Sequence, residues 1–489
     1  MIGPLTARLA RLCDETAPTL TDPAARATVE ALGARLAEPR IRIAIGGRIK
    51  AGKSTMVNAL LGQRLAATGV GETTMLVSWF QHGPQDRVRV HRQDGSVSIV
   101  PAARGGGVPE HIEDPATVSY LEVETPNEAL ARRHTVVDTP GLNSLSALDA
   151  YSLAAMADAD AVVYLMPHPG ENDLAALESI RSSAGELRLG AANLIGVLSR
   201  IDTLSGAENP WPDARRVAER YAGELSSALS TVVPVVGLMA ETGLGADFAE
   251  GDHAAVRALT AVDPVDLEDA LLSVQDFLAW PDCPVSEERR HRLLRLLGLY
   301  GTSVAVEVVR GGSRTTADLL AELTRRSGID TVLHHIERVF VAGADRLRAT
   351  AAVAALEELV WRDDGSCLAD RPVLVRLRAE LDRVRLEPAM RQVELAKGLA
   401  DVARGLLRLE TTDLQALTAL ATGADDAARL GLPRSAGPDR IRDAADVRIR
   451  RWRTLEGRPS RPLQRYARAA RELTEHAYFA AAHPPSGRR

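Results

Sequence analysis

The chain has 489 residues, with 59 Lys and Arg against 65 Asp and Glu, and a formal net charge of −6. That length allows two or three domains with real cores, and the mild acidity gives no sign of a nucleic-acid partner. Aromatic residues make up 3%, so the cores must be aliphatic, and Cys13, Cys283 and Cys367 form no CxxC pair, which excludes a disulfide framework or structural zinc site and fits a reducing cytosol.

The N-terminal run MIGPLTARLARLCDETA carries charges inside its first apolar stretch, so no secretory leader is expected. No uncharged apolar run reaches the roughly 18–20 residues that span a bilayer. Residues 4–38 have the spacing of two helices, broken near Thr21-Asp22-Pro23. Arg40 to Ile45 (RIRIAI) predicts a strand running into GGRIKAGKST, and helix signals follow at Thr55–Leu61. Residues 75–100 predict antiparallel strands with Asp94-Gly95 as a hairpin turn. Further strands are expected at 118–124, 134–138, 161–166, 193–198 and 231–239, with helices between most of them. This alternation predicts an α/β fold, a mixed and mostly parallel sheet with helices on both faces.

After Trp280-Pro281-Asp282-Cys283-Pro284 the pattern turns helical to the end. A helix is expected from Ser286, with Glu287 and Glu288 in its first turn. Residues 329–365 predict one long helix of about 55 Å. Residues 371–421 alternate leucine spacings of three and four, the pattern of an antiparallel bundle, with Pro388 as a kink. Arg434 to Pro438 (RSAGP) reads as a hairpin tip. The expected domains are therefore N-terminal helices (1–38), an α/β domain (39–285), an all-α helical bundle (286–482) and a disordered tail (483–489).

Only three lysines occur, Lys50, Lys53 and Lys397, and two of them lie in GGRIKAGKST. Gly47-x4-Gly52-Lys53-Ser54 fits the phosphate-binding loop GxxxxGK followed by Ser or Thr. In such a loop the backbone of Gly47, Arg48, Ile49, Lys50, Ala51, Gly52, Lys53, Ser54 and Thr55 would wrap a nucleotide's phosphates, at the positive end of the following helix. Lys53 would bridge the β- and γ-phosphates, and the Ser54 hydroxyl would ligate Mg²⁺. Arginine offers no equally compact charge, which explains Lys53. Lys50 is left as a second phosphate contact, a partner contact or a solvated residue.

Asp138-Thr139-Pro140-Gly141 follows the strand HTVV. There Asp138 would serve the Mg²⁺ ion, and the Gly141 N–H would meet the γ-phosphate. Between these motifs, Gly69-Val70-Gly71-Glu72-Thr73-Thr74 is a Gly-flanked loop, and Thr74 is the choice to close over Mg²⁺. Ser199-Arg200-Ile201-Asp202 follows NLIGVL, where NKxD or TKxD would read guanine. The Asp202 carboxylate can accept from guanine N1–H and N2–H, Arg200 can stack on the base, and Ser199 departs from the usual Asn or Thr. The last base-contacting loop is expected near Ala240-Glu241-Thr242-Gly243.

RIKAGKSTMVNALLG, GVGETT and DTPGLNS, with helices on both sides of the α/β domain, resemble the bacterial dynamin-like GTPases. The length and the stretch ELTRRSGIDTVLHHIERVF resemble the actinobacterial branch that includes the isoniazid-inducible dynamin-like proteins of mycobacteria. The resemblance implies a P-loop GTPase domain on a helical neck or stalk, with a hinge near residues 280–286. It implies GTP, GDP and Mg²⁺ as ligands, with hydrolysis driving dimerisation and membrane remodelling at the inner face of the cell membrane. The partner would be a second copy, through the GTPase domains, or a paralogous dynamin-like protein. Lys53, Thr74, Gly141 and Arg48 would be the catalytic groups, and Ser54, Thr74 and Asp138 the metal site. The family's water-positioning Gln is absent from Arg48-Ile49-Lys50, so Arg48 is a candidate to act across a dimer. That absence and Ser199 support one alternative, a weakly or non-catalytic GTP-binding partner subunit, and a soluble regulatory GTPase is another, because nothing in the sequence proves lipid contact. The presumed bundle tip, residues 428–440, carries Leu430, Leu432 and arginines that could touch anionic lipid.

Overall fold

The computed structural model describes residues 3–67, 76–103, 105–131, 134–142, 147–182, 189–203, 209–361, 369–403 and 405–482. Thr74, Cys367 and the tail 483–489 lie outside them. Two compact units divide the chain: Glu38–Leu347, and Gly3–Ala37 together with Arg348–Arg489.

The first unit is built on nine strands: β1 (Ile41–Gly47), β2 (Ser78–His82), β3 (Arg87–Arg92), β4 (Val97–Val100), β5 (Val118–Thr125), β6 (His134–Asp138), β7 (Ala161–Met166), β8 (Leu194–Leu198) and β9 (Val232–Pro234). They form one sheet in the order β4-β3-β5-β2-β6-β1-β7-β8-β9. β1 pairs in parallel with β6 and β7, and β7, β8 and β9 continue in parallel. β3 and β4 are the antiparallel hairpin expected around Asp94-Gly95. The sheet is thus mixed and mostly parallel.

The central strands read as unbroken apolar runs because both of their faces are covered. Along β7, Val162, Tyr164 and Met166 enter one core, and Ala161, Val163 and Leu165 enter the other. Toward the β3 edge, a stack of His91, Tyr120 and Trp79 with the Arg42 guanidinium 4.3 Å over the Trp79 ring runs across the strands.

The helices after residue 286 complete these two cores. Leu293, Leu296, Val304, Leu319 and Leu323 pack on one face of the sheet, and Ile329, Val332, Ile336 and Phe340 on the other. The expected boundary at 285/286 is therefore displaced, because the first helices of the presumed bundle are the sheet's own cover. Nor is 280–286 a loose junction. Val285 is buried, and Arg290 donates to the Val285 and Leu278 carbonyls at 2.9 and 2.7 Å.

Two further expectations change locally. The run 329–365 is not one helix but Ile329–His335, a π-helical turn at Ile336–Val341, and Ala344–Trp361. The break coincides with Gly343, where a Cβ would lie 2.2 Å from the Val339 carbonyl oxygen. Strand 231–239 shortens to β9, because Gly237–Leu244 is helical.

The second unit is all helical. Pro388 starts a new helix after Arg371–Arg385 rather than kinking one. Its core joins Leu395, Leu417, Leu420, Trp452, Leu455, Leu463, Tyr466 and Leu473. The N-terminal helices Pro4–Thr16 and Pro23–Ala37 belong to this unit. Asp370 ties them down by accepting from the Thr21 and Asp22 backbone N–H groups at 2.7 and 3.0 Å. At the presumed tip, Leu430 is buried and Leu432 packs against the same small cluster, so neither aliphatic side chain is offered outward. Among the described residues, no helix is long and apolar enough to cross a membrane.

A fragment covering residues 38–347 should unfold in one cooperative transition by circular dichroism. One ending at 285 should not, because it strips cover from both faces of the sheet. In the longer fragment, Phe340→Ala should cost about 3–5 kcal/mol in urea unfolding.

Candidate functional site

Parallel pairing carries the C-terminal ends of β1, β6, β7 and β8 to one edge of the sheet, the usual ligand edge of an open α/β fold. Register sets Ile45 of β1 beside Asp138 at the end of β6. The loop after β1 then turns through Gly47 (φ +140), Lys50 (φ +63) and Gly52 (φ +91) into the helix Lys53–Leu61. A Cβ at Gly47 would lie 2.5 Å from the Leu165 carbonyl oxygen, so only glycine fits there. A Cβ at Gly52 would meet nothing within 4 Å, which leaves the loop's mouth open.

The two loops lock together through their backbones. Ile49 N–H donates to the Leu142 carbonyl and Leu142 N–H to the Gly47 carbonyl, both at 3.2 Å. Gly141 is packed so closely against Ile49 that a Cβ would come within 2.8 Å of its Cα. Thr139 donates to the Ile45 carbonyl at 2.8 Å.

At the centre, Ser54 Oγ donates to Asp138 Oδ2 at 3.1 Å. Asp138 Oδ1 is buried without a hydrogen-bond partner. Burial pushes the Asp138 carboxyl up to about 6, against the pull of Lys53, Ser54 and the Thr139 amide. Burial also lowers the Lys53 ammonium, partly offset by Asp138. Lys53 Nζ donates to the Arg48 carbonyl at 3.1 Å. A buried ammonium, a hydroxyl and a carboxylate with one unused oxygen form a donor set that fits a hydrated Mg²⁺ ion and a polyphosphate.

Next along the edge, the Ser199 hydroxyl donates to the Ala51 carbonyl at 2.8 Å, tying the loop after β8 to the phosphate loop. Arg200 follows with left-handed backbone (φ +55). Burial raises the Asp202 carboxyl, opposed by Arg200. Lys53, Ser54, Asp138, Gly141, Ser199, Arg200 and Asp202 thus lie on element ends and loops at this one edge. The 240–243 expectation is different. Glu241 and Thr242 are buried in the helix Gly237–Leu244, and bond to Asn58 Nδ2 at 2.9 Å and the Leu296 carbonyl respectively. The residue after β9 that approaches the site is Gly237, where a Cβ would be 3.4 Å from Thr55 Cγ2.

Sequence reasoning missed a pair behind Arg48. Tyr164 donates to the wholly buried Asp173 at 3.3 Å. Burial raises both groups, and the Arg48 charge opposes the rise. No spacing signal joins β7 to the following helix, so only the fold could bring them together.

The sequence profile of the dynamin family matches residues 43–200. Isoniazid-induced protein IniC of Mycobacterium tuberculosis is 36% identical over 346 residues, covering 68% of this chain and 69% of that protein. The chain belongs to the dynamin family. Its likeness to IniC fits the actinobacterial branch that includes the isoniazid-induced proteins of mycobacteria. A bacterial dynamin-like protein of Nostoc punctiforme is 30% identical over 138 residues, 26% of this chain and 20% of that protein. A solved structure of an oligomerised bacterial dynamin pair, described as sensing and tethering membranes, covers 97% of this chain and 90% of its own at 15% identity and a TM-score of 0.36. The assignment rests on the sequences. This edge of the sheet therefore belongs to a dynamin-family GTPase domain.

Because the fold favours the neutral Asp138 carboxyl, nucleotide-free and metal-free protein should lose stability as pH rises from about 4 to about 6. The loss should reach at most about 3 kcal/mol and persist above that window. Urea midpoints across this range should fall more steeply for the wild type than for Asp138→Asn, which keeps the shape and removes the titration.

Proposed function

We propose that this chain binds GTP and hydrolyses it to GDP and phosphate, and that turnover drives dimerisation of GTPase domains and membrane remodelling. The observation that carries the reading is the meeting of Lys53, Ser54 and a half-satisfied buried Asp138 beneath an open glycine loop. Catalysis of phosphoryl transfer to water is mostly positioning and charge stabilisation, and this cluster is built for both.

The backbone of residues 47–55 wraps the phosphates. Lys53 exchanges the Arg48 carbonyl for β- and γ-phosphate oxygens. A Mg²⁺ ion held by Ser54 and Thr74, with Asp138 behind it, would neutralise charge on those phosphates. Thr74 and the Gly141 N–H hold the attacking water and the γ-phosphate. Asp202 accepts from guanine N1–H and N2–H, and Arg200 stacks on the base. Lys50, exposed and held left-handed at the loop's mouth, adds a second phosphate contact. Arg48 is exposed and reaches the phosphates of a second GTPase domain.

A second reading has one observation in its favour. Ile49 packs on Gly141 and offers no hydrogen bond to a water. On that reading the chain binds GTP but turns it over slowly, as the partner subunit of another dynamin-like protein. Where a membrane is met by the bundle tip, the contact is made by Arg434 and Arg440, both exposed, rather than by Leu430.

Lys53→Ala should weaken binding of a fluorescent GTP analogue by about 100-fold or more, while Thr74→Ala should keep binding and lose turnover. Asp202→Asn should erase the preference for GTP over ATP. Turnover per chain that rises with protein concentration supports the dimerising enzyme; tight binding with flat, negligible turnover supports the partner subunit.

A further inference from the structure

Between Arg257 and Arg289 the chain has no basic residue, yet carries Asp263, Asp266, Glu268, Asp269, Asp276, Asp282, Glu287 and Glu288. The stretch includes two short helices, Pro264–Ala270 and Val274–Ala279. Between and on them stand Val265, Leu272 and Val274, exposed by 62%, 76% and 52%. Asp263, Asp266, Asp269, Asp276 and Asp282 line a groove of about 660 Å³ with Trp280 in its wall. Apolar side chains inside a one-signed charge field are a poor surface to leave in water and a good one to cover.

The opposite surface exists on the same chain, in the helical unit. The helix Arg371–Arg385 buries Leu374, Leu377, Leu381 and Val384, and carries five arginines against Glu380 and Asp382. Arg371, Val375 and Arg378 recur at helical spacing on its outer side. Val375 is 62% exposed and Leu386, at the helix end, 57%. The Arg378 guanidinium lies 4.2 Å over the ring of Trp361, itself 62% exposed. This face is apolar and positive where the first is apolar and negative.

We infer that the acidic, apolar face of residues 263–282 docks on the arginine-rich outer face of Arg371–Arg385 in a second copy of this chain. The two faces are unlike, so the contact is heterologous. A docked pair keeps one free face of each sign, and copies add head to tail. Neither face includes the phosphate loop, so this association does not require GTP and is separate from the pairing of GTPase domains proposed above.

The test is sedimentation velocity of the full chain, nucleotide-free, against concentration. The wild type should associate at low salt and return to monomer near 0.5 M salt, where exposed charges are screened beyond about 4 Å. The double variant Asp266→Arg with Asp269→Arg should weaken association at least about tenfold, as should Arg371→Glu with Arg378→Glu. Mixed one to one, the two variants should associate again, because every junction then pairs opposite charges. All four positions are exposed, and unchanged thermal melts would show that the variants fold. A wild type that stays monomeric, reversals without effect, or a mixture that does not reassociate would each overturn the inference. So would a salt response independent of concentration, which would mean that the two faces meet within one chain.

Discussion

The buried Asp138 carboxylate is the constraint around which the GTPase domain is arranged. It lies at the end of β6 because β6 pairs in parallel with β1, and it faces Ser54 because the loop after β1 turns back within five residues into a helix. One of its oxygens has no partner, and burial disfavours its charged form. A fold keeps such a group only where the surroundings impose it. The same edge holds two of the three non-glycine residues with left-handed backbone among those described, Lys50 and Arg200. Strain and unmet polarity concentrate at this one edge of the sheet.

Two departures from the family pattern have different structural weight. Ser199 stands where the family's motif has Asn or Thr, and its hydroxyl donates to the Ala51 carbonyl, tying the loop after β8 to the loop after β1. Ile49 has no such equivalence. It is wedged against Gly141, and its side chain can neither donate nor accept. Arg48 beside it is exposed, and the Tyr164–Asp173 pair lies within reach of its charge.

The compact GTPase unit continues to Leu347, about sixty residues past the boundary expected at 285. Both faces of the central strands are apolar, and the helices within 39–285 leave part of each uncovered. The segments from Glu287 to Phe340 fill those places. Pro281 and Pro284 therefore lie inside this unit rather than at its end.

Much of this was legible in the chain itself. Alternating and continuous apolar runs marked nearly every strand, Asp94-Gly95 marked the hairpin, and the glycine–lysine spacing marked the phosphate loop. Such signals are local, set by backbone torsion and side-chain period over a few residues. What the sequence by itself determined was the set of elements and the motifs on their ends. Tertiary structure alone decided which sheet face each later helix covers, that Glu241 and Thr242 are spent inside the fold, that Leu430 is buried at the tip, and that Asp173 lies behind Arg48. Helical periodicity says that a face is apolar but not against what it packs, and burial of a polar group depends on neighbours far away along the chain.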